Sequence, residues 1–131
     1  MFTQIKTSRS NREIVTELSQ RFNLGAENTI ARIALVYSLS QGRKLDLSNI
    51  SDSQGKEYSK NVLFGSNLPF YIGLVCVHYN LYKTDEDIPK YIKMHIDDGL
   101  ELMNKELKDN PNLNGMDYLM DKIEKGLIQI C

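Results

Sequence analysis

The sequence is poor in the residues that staple or metallate small proteins. Its two cysteines, Cys76 and Cys131, lie 55 positions apart, a spacing that fits neither a metal-ligand pattern nor a disulfide framework. A reducing compartment suits such usage better than secretion. The N-terminus, MFTQIKTSRS, lacks the apolar stretch of a secretory signal. The longest apolar-rich run, Leu68 to Tyr82, has 15 residues and is interrupted by Gly73, His78 and Asn80, short of the ~20 that cross a bilayer. A soluble cytoplasmic protein with no membrane partner is therefore expected. Gly99, Gly115 and Gly126 stand alone, so there is no glycine-rich phosphate loop, and His95 has no HExxH-type spacing around it. No metal and no cofactor are expected.

Arginine is absent after position 43. Net charge is −1, but residues 1–44 hold seven basic groups against three acidic ones, and the remainder nine against 14. The N-terminal third is thus a basic segment at +4, rich in the side chain suited to bidentate phosphate contact. With 131 residues, 41% hydrophobic and 25% charged, the chain is expected to build one core across residues 1–131.

The segment FTQIKT (2–7) reads as a short strand with Ile5 turned inward. Ser8 or Ser10 can cap the helix that follows, with Glu13 completing a capping box after Ser10. That helix carries Ile14, Leu18 and Phe22 and ends near Gly25. A second runs from Ala26 to about Ser40, with Ile30, Ile33, Ala34 and Tyr37 on one face and Leu35, Val36 and Leu39 widening it, a surface broad enough to be covered on two sides. Residues 45–61 read as a polar loop. LPFYIGLVCVHYNLY (68–82) is apolar almost all round and is expected to be the most deeply buried helix, in a helical pair over 62–108. The second helix of the pair turns Ile88, Ile92, His95 or Ile96, Leu100 and Met103 inward. A last helix, Met116 to Ile128, presents Leu119, Met120, Ile123 and Leu127. The expected fold is mainly α: a short N-terminal strand, about five helices, and residues 109–131 as an added C-terminal element.

Catalytic constellations are weak. Cys76 and His78 are two apart, which on a helix separates them by about 200°, so a small buried cysteine and a satisfied histidine are expected. Asp97 and Asp98 read as helix surface. Arg32 reads as an ion-pair partner, for instance of Glu17, and Arg43 and Lys44 follow a helix C-terminus, where the dipole favours cations.

A lone strand must find a ladder partner. With no second strand in view, pairing with another copy is expected, giving a ribbon backed by two helix pairs that resembles the ribbon-helix-helix family. Gln4 and Lys6 would then face outward, with Arg9 and Arg12 at the flanks, in reach of a DNA groove. Arg43 and Lys44 complete the candidate DNA contacts, and Ile5, Ile30, Ile33 and Tyr37 are the candidate oligomer interface. A regulator or antitoxin of that kind is one alternative. A protein scaffold without DNA affinity is another.

IKTSRSNREIVTELSQRFNL, GAENTIARIALVYSLSQ, LFGSNLPFYIGLVCVHYNLY and IPKYIKMHIDDGLELM together resemble the DndE family of the bacterial DNA phosphorothioation system, over roughly residues 4–104. The Ser-Arg-Ser helix start, Phe64-Gly65 and the run His95 to Leu100 carry the likeness; residues from about Asp109 have no counterpart in it. The resemblance implies a non-catalytic, DNA-binding accessory subunit that associates with nicked double-stranded DNA and with the other sulfur-modification subunits. It also implies a homo-oligomer, most often a tetramer.

Overall fold

The computed structural model describes residues 2–130, with side chains as far as Gly126. Strand β1 (Gln4–Lys6) pairs antiparallel with β2 (Glu57–Ser59), placing Gln4 opposite Ser59, Ile5 opposite Tyr58 and Lys6 opposite Glu57. Both strands alternate exposed, buried, exposed, so Ile5 and Tyr58 point into the core. The expected ribbon between two copies is corrected: a two-stranded ribbon forms within the one chain, and β2 supplies the partner strand. The partner was hidden in the stretch read as a polar loop, because a three-residue strand with a single apolar residue shows no alternation. Thr7 N–H to the Lys56 carbonyl and Gly55 N–H to the Thr7 carbonyl, both 2.9 Å, extend the pairing past β1.

Helices α1 (Asn11–Phe22) and α2 (Glu27–Ser40) follow. The capping box does not form: Ser10 is itself helical (φ −62°, ψ −26°) and its side chain caps nothing. Asn23 then turns left-handed at φ 53° to end α1. After β2 come the short α3 (Lys60–Phe64), α4 (Leu68–Tyr79), α5 (Ile88–Asp109) and α6 (Gly115–Ile130).

The core centres on α5. Ile88, Ile92, Ile96, Leu100, Met103 and Leu107 are all buried, and α2 against α5 is the most extensive helix contact. They approach closely because Gly99 faces Ala34: a Cβ at 99 would stand 2.0 Å from the Ala34 carbonyl oxygen. Two small residues at the crossing thus set the interhelical distance.

Two expectations about burial are corrected. α5, and not α4, is the buried helix; on α4 only Ile72 and Val75 are buried, while Phe70 and Val77 are 62% and 85% exposed. Apolar composition all round does not guarantee neighbours all round. On α6, Leu119 is half-buried and Met120 and Ile123 are exposed; Leu127 lies outside the described side chains. The residue that docks α6 is Tyr118, 3% exposed, stacked on Phe22 at 5.8 Å between ring centroids. Counting α3, the helical stretch 60–79 reaches 20 residues, and an 18-residue window of it has mean hydropathy 1.3, enough by length and composition for a membrane span. It is not one straight helix, since Gly65 (φ 54°, ψ −134°) ends α3 before α4 begins.

Candidate nucleic-acid interface and the polar network behind it

Gln4 and Lys6 lie exposed on the outer face of the ribbon, with Glu57 across from Lys6. Arg9 and Arg12, on the loop and first turn that start α1, are exposed and line one shallow depression with Ser10, Glu13 and Asp52. Asp52 accepts the Arg9 N–H at 2.9 Å and the Gln54 N–H at 3.0 Å; these two backbone bonds hold its carboxyl below the usual carboxylate range. The basic segment therefore arrives with carboxylates beside it: Glu57 near Lys6, and Glu13 and Asp52 near the arginines.

Behind this segment sits a buried charged cluster. The Asp97 carboxylate, 5% exposed, accepts the Ser8 N–H at 3.0 Å and Asn11 Nδ2 at 2.7 Å on one oxygen. Its other oxygen accepts Lys93 Nζ at 2.6 Å and Ser51 Oγ at 3.2 Å. Lys93 is itself 6% exposed, so the pair stands as a desolvated ion pair with neighbours for both charges. Asp97 thus ties the Ser8 backbone and the Asn11 side chain to α5, while the Asn11 and Arg12 N–H groups at the start of α1 bond the Ser8 and Arg9 carbonyls at 3.2 Å. Read as helix surface in the sequence, Asp97 is corrected to a core residue. The i, i+4 spacing of Lys93 and Asp97 was the available signal.

A second chain of polar groups runs from α2 to α4. Leu45 N–H donates to Tyr79 Oη at 2.9 Å, Tyr79 lies 2.6 Å from His95 Nε2, and His95 Nδ1 lies 2.8 Å from Ser38 Oγ. Ser38 donates its single proton to Asp98 at 2.7 Å, and Arg43 Nη2 donates to the same oxygen at 2.7 Å. One proton arrangement satisfies every group: Tyr79 donates to Nε2, and a neutral His95 donates from Nδ1 to Ser38. Burial, with His78 adding to it, pushes the His95 pKa down to about 4, consistent with that neutral tautomer. Ser38 and His95 are 1% and 0% exposed, so this serine–histidine pair is sealed from substrate. His78 donates Nε2–H to the Arg43 carbonyl at 2.6 Å, the satisfied histidine the sequence implied, while Cys76 is half-buried and unbonded to sulfur. Among the described residues no group of His, Cys, Asp and Glu has metal-binding geometry.

The remaining candidates separate. Arg43 is tied to Asp98 and Lys44 is exposed beside it. Arg32 makes no ion pair with Glu17; it donates to the Leu63 carbonyl at 2.8 Å and to Thr29. Ile5 and Ile30 are consumed by the core of the single chain, at 3% and 0% exposure. Ile33 is half-buried, and Tyr37 bonds Glu106 at 2.5 Å.

A family model described as DndE, DNA sulphur modification protein, matches residues 4–110. The chain belongs to the DndE family. A crystal structure of DndE from Escherichia coli B7A, described as involved in DNA phosphorothioation modification, superposes with a TM-score of 0.63 at 16% identity, covering 79% of this chain and 98% of that one. At that identity the likeness concerns the fold. No curated protein matches the chain. The DndE match ends before Gly115 and so leaves α6 outside it.

Proposed function

We propose that this DndE-family chain is a non-catalytic accessory subunit of a cytoplasmic DNA phosphorothioation complex, holding double-stranded DNA, nicked DNA in particular, against its N-terminal basic segment. Arg9 and Arg12, exposed together in one depression at the start of α1, carry the reading, and family membership supplies its context. The sealing of Ser38 and His95 supports a role without catalysis. An anisotropy titration with matched intact and nicked duplexes tests it. Tighter binding of the nicked duplex, weakened when Arg9 and Arg12 are both replaced by Ala, is expected; no binding to either duplex would favour a scaffold acting only through protein partners, a reading that the flanking Glu13, Asp52 and Glu57 give weight to.

The chain acts as one unit and as a homo-oligomer in this proposal, with α4 in place of the β1 strand as the contact. Phe70 and Val77, seven apart with Gly73 between them, lie on one side of α4, and Gly73 also lines an apolar groove with Leu68, Cys76 and Tyr82. At 62%, 85% and 87% exposure, Phe70, Val77 and Tyr82 offer roughly 400 Å² of side chain, about half of the ~800 Å² per partner of a typical stable interface. The groove supplies further apolar area. Leu68–Tyr79 contains no Asp, Glu, Lys or Arg, so the helix faces of two copies can meet across a two-fold axis without like-charge repulsion, and the charges that line the groove, Lys83, Asp85 and Glu86, are of both signs.

A further inference from the structure

α6 presents a second unpartnered surface, independent of the DNA reading and beyond the residues that the family match covers. Its body-facing side is fixed by Gly115, where a Cβ would stand 2.6 Å from the Arg21 carbonyl oxygen. Tyr118 and Lys122, both bonded to Glu106 at 2.6 and 3.0 Å, complete that side. At about 100° per residue, Met116, Met120 and Ile123 fall within about 60° of one another, roughly a third of a turn away from that side, and they are 53%, 49% and 57% exposed. Their spacing of four then three is that of a coiled-coil seam, and the sequence repeats it at Leu127 and Ile130.

The edge of that seam is acidic. Asp117 and Glu124, seven apart and both exposed, run along one side of it. The lysines of α6 do not balance them: Lys122 is bonded to Glu106, and Lys125 to Asp121 at 3.0 Å. Among the described residues, neither Asp117 nor Glu124 has an ion-pair partner within 4 Å. A second copy of α6 offers this edge no counter-charge. In an antiparallel pair Asp117 would meet the Glu124 edge of the other copy, and in a parallel pair the acidic edge would meet Leu119 and Gly126, which carry no charge.

We propose that the exposed face of α6 docks an amphipathic helix of another protein, one with an apolar stripe bordered by Lys or Arg. The apolar seam supplies the contact area, and the Asp117–Glu124 edge sets orientation and selects the basic partner.

The test uses the full chain and two synthetic helices of about 20 residues. They share one leucine stripe; one is bordered by Lys and the other by Glu, and both are titrated by fluorescence anisotropy at about 0.15 M salt. The Lys-bordered helix is expected to bind. Replacing Met120 and Ile123 together by Ser should weaken it about tenfold or more, and the D117K/E124K double variant should reverse the preference to the Glu-bordered helix. These substitutions sit on exposed side chains, and circular dichroism of each variant checks that the fold is kept. Equal binding of both helices, or no binding of the Lys-bordered one, would overturn the proposal. So would a self-association that the Met120/Ile123 replacement abolishes, since the occupant would then be a second copy.

Discussion

A carboxylate at 5% exposure persists only if its lone pairs are used, and Asp97 uses both oxygens, on Ser8, Asn11, Ser51 and Lys93. Removing one member of such a pair leaves the other charge buried. Asp97→Ala is therefore expected to cost about 3 kcal/mol or more, read as a shift of the urea midpoint, whereas Arg12→Ala on the exposed rim should change stability by less than about 0.5 kcal/mol. A midpoint unmoved in Asp97→Ala would mean that the cluster is hydrated. His95 makes a second prediction at this scale. Its folded pKa of about 4 lies below the ordinary 6.5, so between those values the unfolded chain binds the extra proton. Its contribution is fully present above pH 6.5 and is lost as pH falls toward 4, by up to about 3 kcal/mol. Urea titrations from pH 7 to pH 4.5 should show this loss in the native protein and a smaller one in His95→Gln; equal losses would exclude His95 as the source.

At the scale of elements, the α2–α5 crossing is the tightest joint. Gly99→Ala places a methyl 2.0 Å from backbone that cannot give way, so the helices must separate. A destabilisation of about 3 kcal/mol or a failure to fold is expected, measured by thermal unfolding; a near-neutral change would contradict the close approach. α6 depends on fewer contacts. Burial pushes the Glu106 carboxyl up, but bonds from Tyr118, Tyr37 and Lys122 outweigh it and hold the group below its ordinary value. Tyr118→Phe should accordingly cost about 1 kcal/mol and loosen α6 before the rest, seen as faster amide exchange confined to that helix. The long helices were legible from the sequence because their apolar periods run over several turns: α1, α2, α5 and α6 fall within a residue or two of where the spacing put them. β2 was not legible, since Glu57-Tyr58-Ser59 carries no period. The anchoring of the α1 start could not be seen either, because Asp97, which holds Ser8 and Asn11, lies 89 and 86 positions from them in the chain.

For the whole molecule, the sequence located the basic third but not its neutralising neighbours. Glu57 and Asp52 lie more than 40 positions from Lys6 and Arg9 in the chain and reach them only through the ribbon and the loop before it. Ile5 was read correctly as inward-facing, yet it turns toward its own core and not a partner's, and that moves the expected assembly surface from β1 to α4. Val77→Lys should then lower the mass measured by light scattering toward that of one 15.0 kDa chain, while an unchanged mass would place the contact elsewhere. The central claim, that Arg9 and Arg12 meet DNA phosphates, is tested most directly by the salt dependence of duplex binding. Each phosphate neutralised contributes a slope of about −0.9 in log K against log salt. Replacing both arginines by Ala is expected to weaken binding and to flatten the slope by about 2 per chain in contact. A slope identical to that of the native protein would contradict the claim.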